Sequence, residues 1–330
     1  ASDTDGAQDA LARFIAQRHK PRTDTNRLEE LLIADIVSLY LREHAPHTRS
    51  LDFILHTAKP IIEWWGQKTL AEIKGKSCRA YVEWRIAQDV SDQTARHDLK
   101  TLRAAIGYYH REYGPLASVP AITLPEPAPP RDRWLTRNEV ARLIRSARRD
   151  PQTRHVVRFI LIGVYTGTRS QAILGLKWLP SPTSGWFDLD AERLYRRGSG
   201  QSETKKRQPV ARIHRRLLAH LQRWRRIDMA LGVTSVVHYQ GRSVQKLRRS
   251  WESIRRKAGF DDEVVPHTTR HTCATWLMQA GVPVFEAAGY LGMSIETLQK
   301  VYGHHHPDFQ SRAADMEPQR GIRSHGKAGP

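Results

Sequence analysis

The stretch Pro266-His267-Thr268-Thr269-Arg270-His271-Thr272 decides how this chain is read. His267 and Arg270 stand three apart, at or just before the first turn of a helix expected over Thr269–Ala280. That spacing puts both side chains on one face. Upstream, Val157, Ile160, Leu161 and Val164 form an apolar helical stripe that ends in Tyr165-Thr166-Gly167-Thr168-Arg169. Next come strand-like pieces at Trp186–Leu189, Arg193–Arg196 and Val210–Ile213. The polar, glycine-bearing segment Gly198–Arg207 reads as a hairpin tip and carries Lys205 and Lys206. Downstream, helices are expected over Val284–Leu291 and Ile295–Tyr302. Gly303 and the run His304-His305-His306 follow.

These residues suit transfer at a phosphodiester. Charge builds on the non-bridging oxygens, and cationic donors stabilise it. Arginine suits the task because its planar fork bonds phosphate with two donors. The reaction also needs a nucleophile, a proton acceptor for it and a proton donor for the leaving oxygen.

Tyr165-Thr-Gly-Thr-Arg169, Pro266 to Thr272, and Leu291-Gly-Met-Ser through Val301-Tyr302-Gly303 together resemble the tyrosine recombinase, or phage integrase, family. The likeness covers roughly 133–310, and its force lies in the order arginine, lysine, histidine-x-x-arginine, tyrosine. It implies that Arg169 and Arg270 clamp the scissile phosphate. Lys205, preferred to Lys206, protonates the leaving 5′ oxygen, and His267 assists as acid or base. Tyr302 attacks to give a 3′-phosphotyrosyl link. Neither cofactor nor metal is implied. The chain departs from the family pattern at Met293, where histidine or tryptophan is usual, and at Ala172, where glutamate is frequent. Met293 is expected to pack beside Tyr302, and His271 to be structural. His304 or His305 is a candidate to supply the polar group missing at Met293. A metal reading of the histidine run is disfavoured, because adjacent histidines point in different directions and no carboxylate stands at helical spacing nearby.

Outward from this core, residues 120–133 hold five prolines and read as a linker. Thr136 and Glu139 form a capping box that opens the next helix, with Leu135 and Val140 as a hydrophobic staple. Before the linker, four helical patterns occupy residues 27–119. The first runs from Leu28 to Leu39, and the second, Leu51 to Trp65, is expected to kink or break at Pro60. Arg85, Arg96, Lys100, Arg103 and Arg111 lie on the last two; Arg96, Lys100 and Arg103 are the candidate DNA contacts. Residues 1–26 read as a loose arm with a short helix near Ala7–Gln17. Residues 311–330 read as a tail, with a docking helix over Phe309–Met316. The expected fold is mainly α with a small antiparallel sheet. It combines an N-terminal helical bundle of the core-binding kind with a catalytic domain over 134–310.

Composition agrees with a DNA partner. The 330 residues carry 53 Lys and Arg against 34 Asp and Glu, a formal charge of +19. A field of that sign attracts polyanions. Cys78 and Cys273 are far apart and lack metal-ligand spacing, which fits a reducing cytosol. No stretch has the length of a membrane helix or the pattern of a secretion signal. The reading is a cytoplasmic, nucleoid-associated recombinase that integrates or excises a mobile element. It acts on double-stranded DNA as a homo-oligomer, a tetramer in the synaptic complex, with accessory bending or directionality proteins. Three alternatives remain open: a degenerate DNA-binding protein of the same fold, a topoisomerase-like relaxing enzyme and a metal-dependent nuclease.

Overall fold

The computed structural model describes residues 27–48, 50–128, 132–202 and 207–314. It divides into two compact units between Pro130 and Arg131. The expected helix at Ala7–Gln17, both hairpin lysines and the tail beyond residue 314 lie outside the described residues.

The first unit is a bundle of α1 (Ile33–Glu43), α2 (Leu51–Trp65), α3 (Gly75–Ile86) and α4 (Asp92–Glu112). Apolar residues recur every three or four positions and bury one stripe of each helix. Ile33, Ile36, Ile61, Trp65, Leu99 and Leu102 are among those buried in one core. Trp65 stacks on Tyr81 with ring centroids 4.7 Å apart. Ile122 and Leu124, from the proline-rich stretch, pack against this core.

Two local expectations change. Leu28 to Leu32 are not helical, because their backbone pairs elsewhere. Leu31 O accepts from Leu70 N at 2.9 Å, and Leu32 bridges Thr69. Pro60 sits inside an unbroken α2. Proline removes one ladder bond, but buried Ala58, Pro60, Ile61 and Trp65 hold both halves of the helix to the same core. Arg85 also proves not to be a surface residue. Its Nε donates to Asp98 Oδ2 at 2.9 Å, and the Tyr81 hydroxyl donates to the same oxygen at 2.9 Å. A charge buried in the bundle needs such a partner.

The second unit opens with α5 (Arg137–Arg149). Its Thr136–Glu139 capping box forms as the spacing predicts, and Leu135 and Val140 are buried together. Helices α6 (His155–Thr166) and α7 (Ser170–Gly175) follow, then strands β1 (Trp186–Asp188), β2 (Arg193–Tyr195) and β3 (Ala211–Arg212). The strands form one antiparallel sheet in the order β1-β2-β3, with Phe187 opposite Leu194 and Leu194 opposite Ala211. Helix α8 (Arg215–Ala230) returns to the core, where Asp228 is buried. This carboxylate accepts from Trp178 Nε1 at 2.8 Å and from both terminal nitrogens of Arg158, so it ties α8 to α6.

Sequence patterning missed a small hairpin, β4 (His238–Tyr239) and β5 (Arg242–Ser243). Its two turn residues, Gln240 and Gly241, have φ of 50° and 78°. Positive φ at both positions matches the twist of a two-residue hairpin. Helix α9 (Arg248–Lys257) begins after this hairpin. Helices α10 (Thr268–Gln279), α11 (Val284–Leu291) and α12 (Ile295–Tyr302) complete the unit, followed by a turn at Gly303–His305 and a short α13 (Ser311–Ala314). Cys273, Met278, Leu291, Leu298 and Tyr302 share a second, smaller core.

Candidate active site

The site is built where α6 ends, α10 begins and α11 turns into α12. Gly167 closes α6 in the left-handed region, with φ 62°. A Cβ there would stand 2.3 Å from Leu291 Cδ2, so both the turn and the close approach require glycine. Gly292 closes α11 in the same way, with φ 65°, and a Cβ there would stand 2.7 Å from Arg207 O. These two turns present their backbone carbonyls to the arginines.

Arg270, in the first turn of α10, is 5% exposed. Its Nη1 donates to Gly167 O at 2.6 Å and to Leu291 O at 2.8 Å. Arg169, between α6 and α7, is half-buried; it donates from Nη1 to Arg207 O at 2.8 Å and from Nη2 to Gly292 O at 3.2 Å. Both guanidinium groups thus grip the 291–292 turn. Among the described residues, no carboxylate pairs with either. Burial and then the neighbouring Arg169 and Arg196 charges push the Arg270 pKa down to about 10. Burial also lowers that of Arg169. The result is concentrated positive charge held by neutral carbonyls, which an anion would relieve.

His267 precedes α10 and keeps an exposed face. Protein crowding on its other sides, then His271, Arg270 and Arg169, push its pKa down to about 4. The His267 and His271 rings meet edge to face with centroids 5.0 Å apart. His271 in turn reaches Tyr302. The phenol hydroxyl and His271 Nδ1 share a hydrogen bond of 2.6 Å. Tyr302 is 4% exposed. Burial pushes its pKa up to about 12 against the opposing pull of Arg270.

The structure therefore brings together Arg169, His267, Arg270 and Tyr302. Lys205 and Lys206 lie outside the described residues. Met293 packs, partly buried, against the small core that contains Tyr302. His271 does more than pack, because it makes the side-chain contact to the Tyr302 hydroxyl. His304 and His305 turn instead toward Asp132 and Trp134. In the first unit, Lys100 and Arg103 are exposed, and Arg96 donates to Pro125 O.

Sequence reasoning missed Arg196. This side chain is 5% exposed and spends all its donor nitrogens on protein. Nε donates to Thr168 Oγ1 at 2.9 Å and Nη2 to Thr166 O at 2.6 Å. Nη1 donates to Tyr290 O at 2.7 Å and Pro209 O at 3.1 Å. Arg196 thereby fastens the loop before Arg169, the strand limb before β3 and the end of α11. A signal was present: Leu194 and Arg196 alternate onto the same, buried face of the strand.

A helical domain with a small antiparallel sheet, in which arginines from two helix starts converge near a buried tyrosine, has the tyrosine-recombinase catalytic fold. The phage integrase family model matches residues 133–308, and the chain belongs to that family. Among curated proteins, the integrase of Salmonella phage P22 is 28% identical over 224 residues, covering 64% of this chain. The chain spans about half (53%) of that relative's length. Among solved structures, the Tn1549 transposon integrase in complex with transposon right end DNA matches with a TM-score of 0.66 at 16% identity. That match covers 87% of this chain and 98% of the other. A lambda integrase dimer bound to a COC′ core site matches with a TM-score of 0.63 at 17% identity, covering 97% and 89%.

Proposed function

We propose that this chain is a site-specific DNA recombinase that cuts and rejoins double-stranded DNA through Tyr302, in the service of a mobile element. The observation that carries the reading is the convergence of Arg169 and Arg270 on one turn, without a carboxylate among the described residues, beside a tyrosine held by His271. The two guanidinium groups would hold the non-bridging oxygens of the scissile phosphate. The Tyr302 oxygen would attack phosphorus as its proton passes to His271 Nδ1, which accepts when the imidazole is neutral and carries its one proton on Nε2. Burial and then Arg270 lower the His271 pKa, favouring that neutral form. The phosphorus–5′ oxygen bond breaks and the leaving oxygen takes a proton; Lys205, preferred to Lys206, is the proposed donor, with His267 assisting. The ester energy stays in the 3′-phosphotyrosyl bond, so attack by a 5′ hydroxyl of a partner strand reseals DNA without ATP.

The relatives named integrase, and their structures with DNA, support a DNA substrate and assembly of more than one copy on it. The exposed Lys100 and Arg103 on α4 are the proposed backbone contacts of the first unit. A tetramer on paired sites, aided by bending or directionality proteins, is the proposed synaptic form.

A nicked duplex carrying the element's end tests this reading, since loss of the cut fragment traps the covalent state. A protein–DNA adduct that survives denaturation and is lost in Tyr302→Phe is expected. Equal adduct from both proteins would overturn it.

A further inference from the structure

We propose that Asp132, His304 and His305 form a binding site for one divalent transition-metal ion of the zinc class. The three residues come from opposite ends of the second unit, 172 positions apart for Asp132 and His304. The short turn Gly303–His305 sets the two imidazoles side by side, with centroids 4.0 Å apart. Sequence spacing alone had suggested that these rings diverge. Asp132 supplies the missing carboxylate, its Oδ2 standing 4.0 Å from His304 Nε2. One ligand atom from each residue lies within 4.8 Å of the other two.

Two imidazoles and a carboxylate are the donor set of an open zinc site, which leaves a fourth position to water or substrate. Metal–ligand bonds of about 2.0–2.1 Å require ligand atoms about 3.4 Å apart in a tetrahedron. The three atoms must therefore close by about an ångström. Asp132 and His304 are free to make that movement, since their side chains are 67% and 44% exposed. His305 is the fixed member. Its ring meets Trp134 edge to face at 5.9 Å. Its Nε2 is buried with no hydrogen-bond partner among the described residues. A buried nitrogen left in that state is costly, and coordination through it removes the cost.

The ion would join the start of the second unit to the turn that directly follows Tyr302. Asp132 lies three residues before Leu135, whose backbone N–H is held by Thr272 Oγ1 at 2.9 Å and whose carbonyl accepts from Trp276 Nε1 at 3.1 Å. That end of the clamp is firmly seated on α10, so coordination would fix the other end, residues 303–305.

Titration of the full chain with Co²⁺ and Zn²⁺ tests the site. One equivalent of Co²⁺ is expected to produce visible ligand-field bands that Zn²⁺ displaces, and Zn²⁺ is expected to raise Tm. Asp132→Asn and His304→Ala, both at exposed side chains, should each weaken binding roughly tenfold or more and remove the Tm shift. His306→Ala should leave both intact, because His306 faces Asp308. Absence of bands and of a shift in the wild-type chain would overturn the proposal. So would bands that persist unchanged in both variants, since the ion would then be held elsewhere, for example by His267 and His271.

Discussion

The Tyr302 hydroxyl lies 2.6 Å from His271 Nδ1, at the edge of a small core that leaves the tyrosine 4% exposed. Tyr302 is buried and His271 half-buried, and they are carried by α12 and α10. The proposed nucleophile is therefore held in its protonated form beside an acceptor, with burial raising its pKa to about 12. Proton transfer to His271 is then needed as attack proceeds.

Replacing His271 should expose this dependence. His271→Phe keeps an aromatic ring but gives Tyr302 no acceptor. We expect the rate of covalent adduct formation to fall by roughly a hundredfold, with DNA affinity little changed. Single-turnover cleavage beside a filter-binding titration measures both. An unchanged cleavage rate would assign His271 to packing alone.

The arginines differ in how much of the fold rests on them. Arg169→Ala loses bonds to Arg207 O and Gly292 O at a half-buried position. It should lower cleavage by roughly 10²–10³-fold with a small loss of stability. Arg270→Ala should cost as much in rate and also destabilise the domain, because the buried carbonyls of Gly167 and Leu291 lose their donor. Thermal unfolding beside single-turnover rates separates the two. Arg270→Lys should not restore the rate, since an ammonium cannot reproduce the planar fork.

Arg196 does not touch the proposed substrate and should act through position. Arg196→Met leaves three carbonyls and the Thr168 hydroxyl without their donor. A loss of about 3 kcal/mol or more in stability is expected, measurable by urea unfolding. Cleavage by the remaining folded protein should also fall, because the loop before Arg169 is no longer fastened.

The pH dependence of the DNA-free protein carries a sign. His267 has a folded-state pKa of about 4, below its ordinary value of 6.5. Between those values the unfolded chain binds the extra proton, so stability rises with pH there. The contribution is present above about pH 6.5 and is lost as pH falls toward about 4. His267→Gln should flatten the decline of Tm over that window. Its exposed face makes the effect smaller than a buried histidine would give. An equal slope in both proteins would show that the ring is free of the arginine field.

Much of this site was legible before any coordinates, because local chemistry repeats at fixed spacing. His267 and Arg270 share a face since they are three apart at a helix start, and Gly167 and Gly292 close helices where only glycine takes the turn without strain. Arg85 was legible but overlooked: Cys78, Tyr81 and Arg85 fall on one helical stripe, and Ala95, Asp98, Leu99 and Leu102 on the facing one. That alignment predicts the buried Arg85–Asp98 pair rather than a surface contact. Asp132 had no such signal. Its approach to His304 depends on how α5, α10 and α12 pack, which no local pattern encodes. The continuity of α2 through Pro60 is likewise decided by tertiary burial over intrinsic propensity.

Identification of the atom that carries the DNA tests the account most directly. Protein trapped on a nicked duplex in the presence of chelator, digested with protease and nuclease, should yield one modified peptide. We expect it to carry a nucleotide 3′-phosphate on Tyr302, and to vanish in Tyr302→Phe and, nearly so, in Arg270→Ala. A nucleotide on any other residue, or cleavage without a covalent product, would contradict the account.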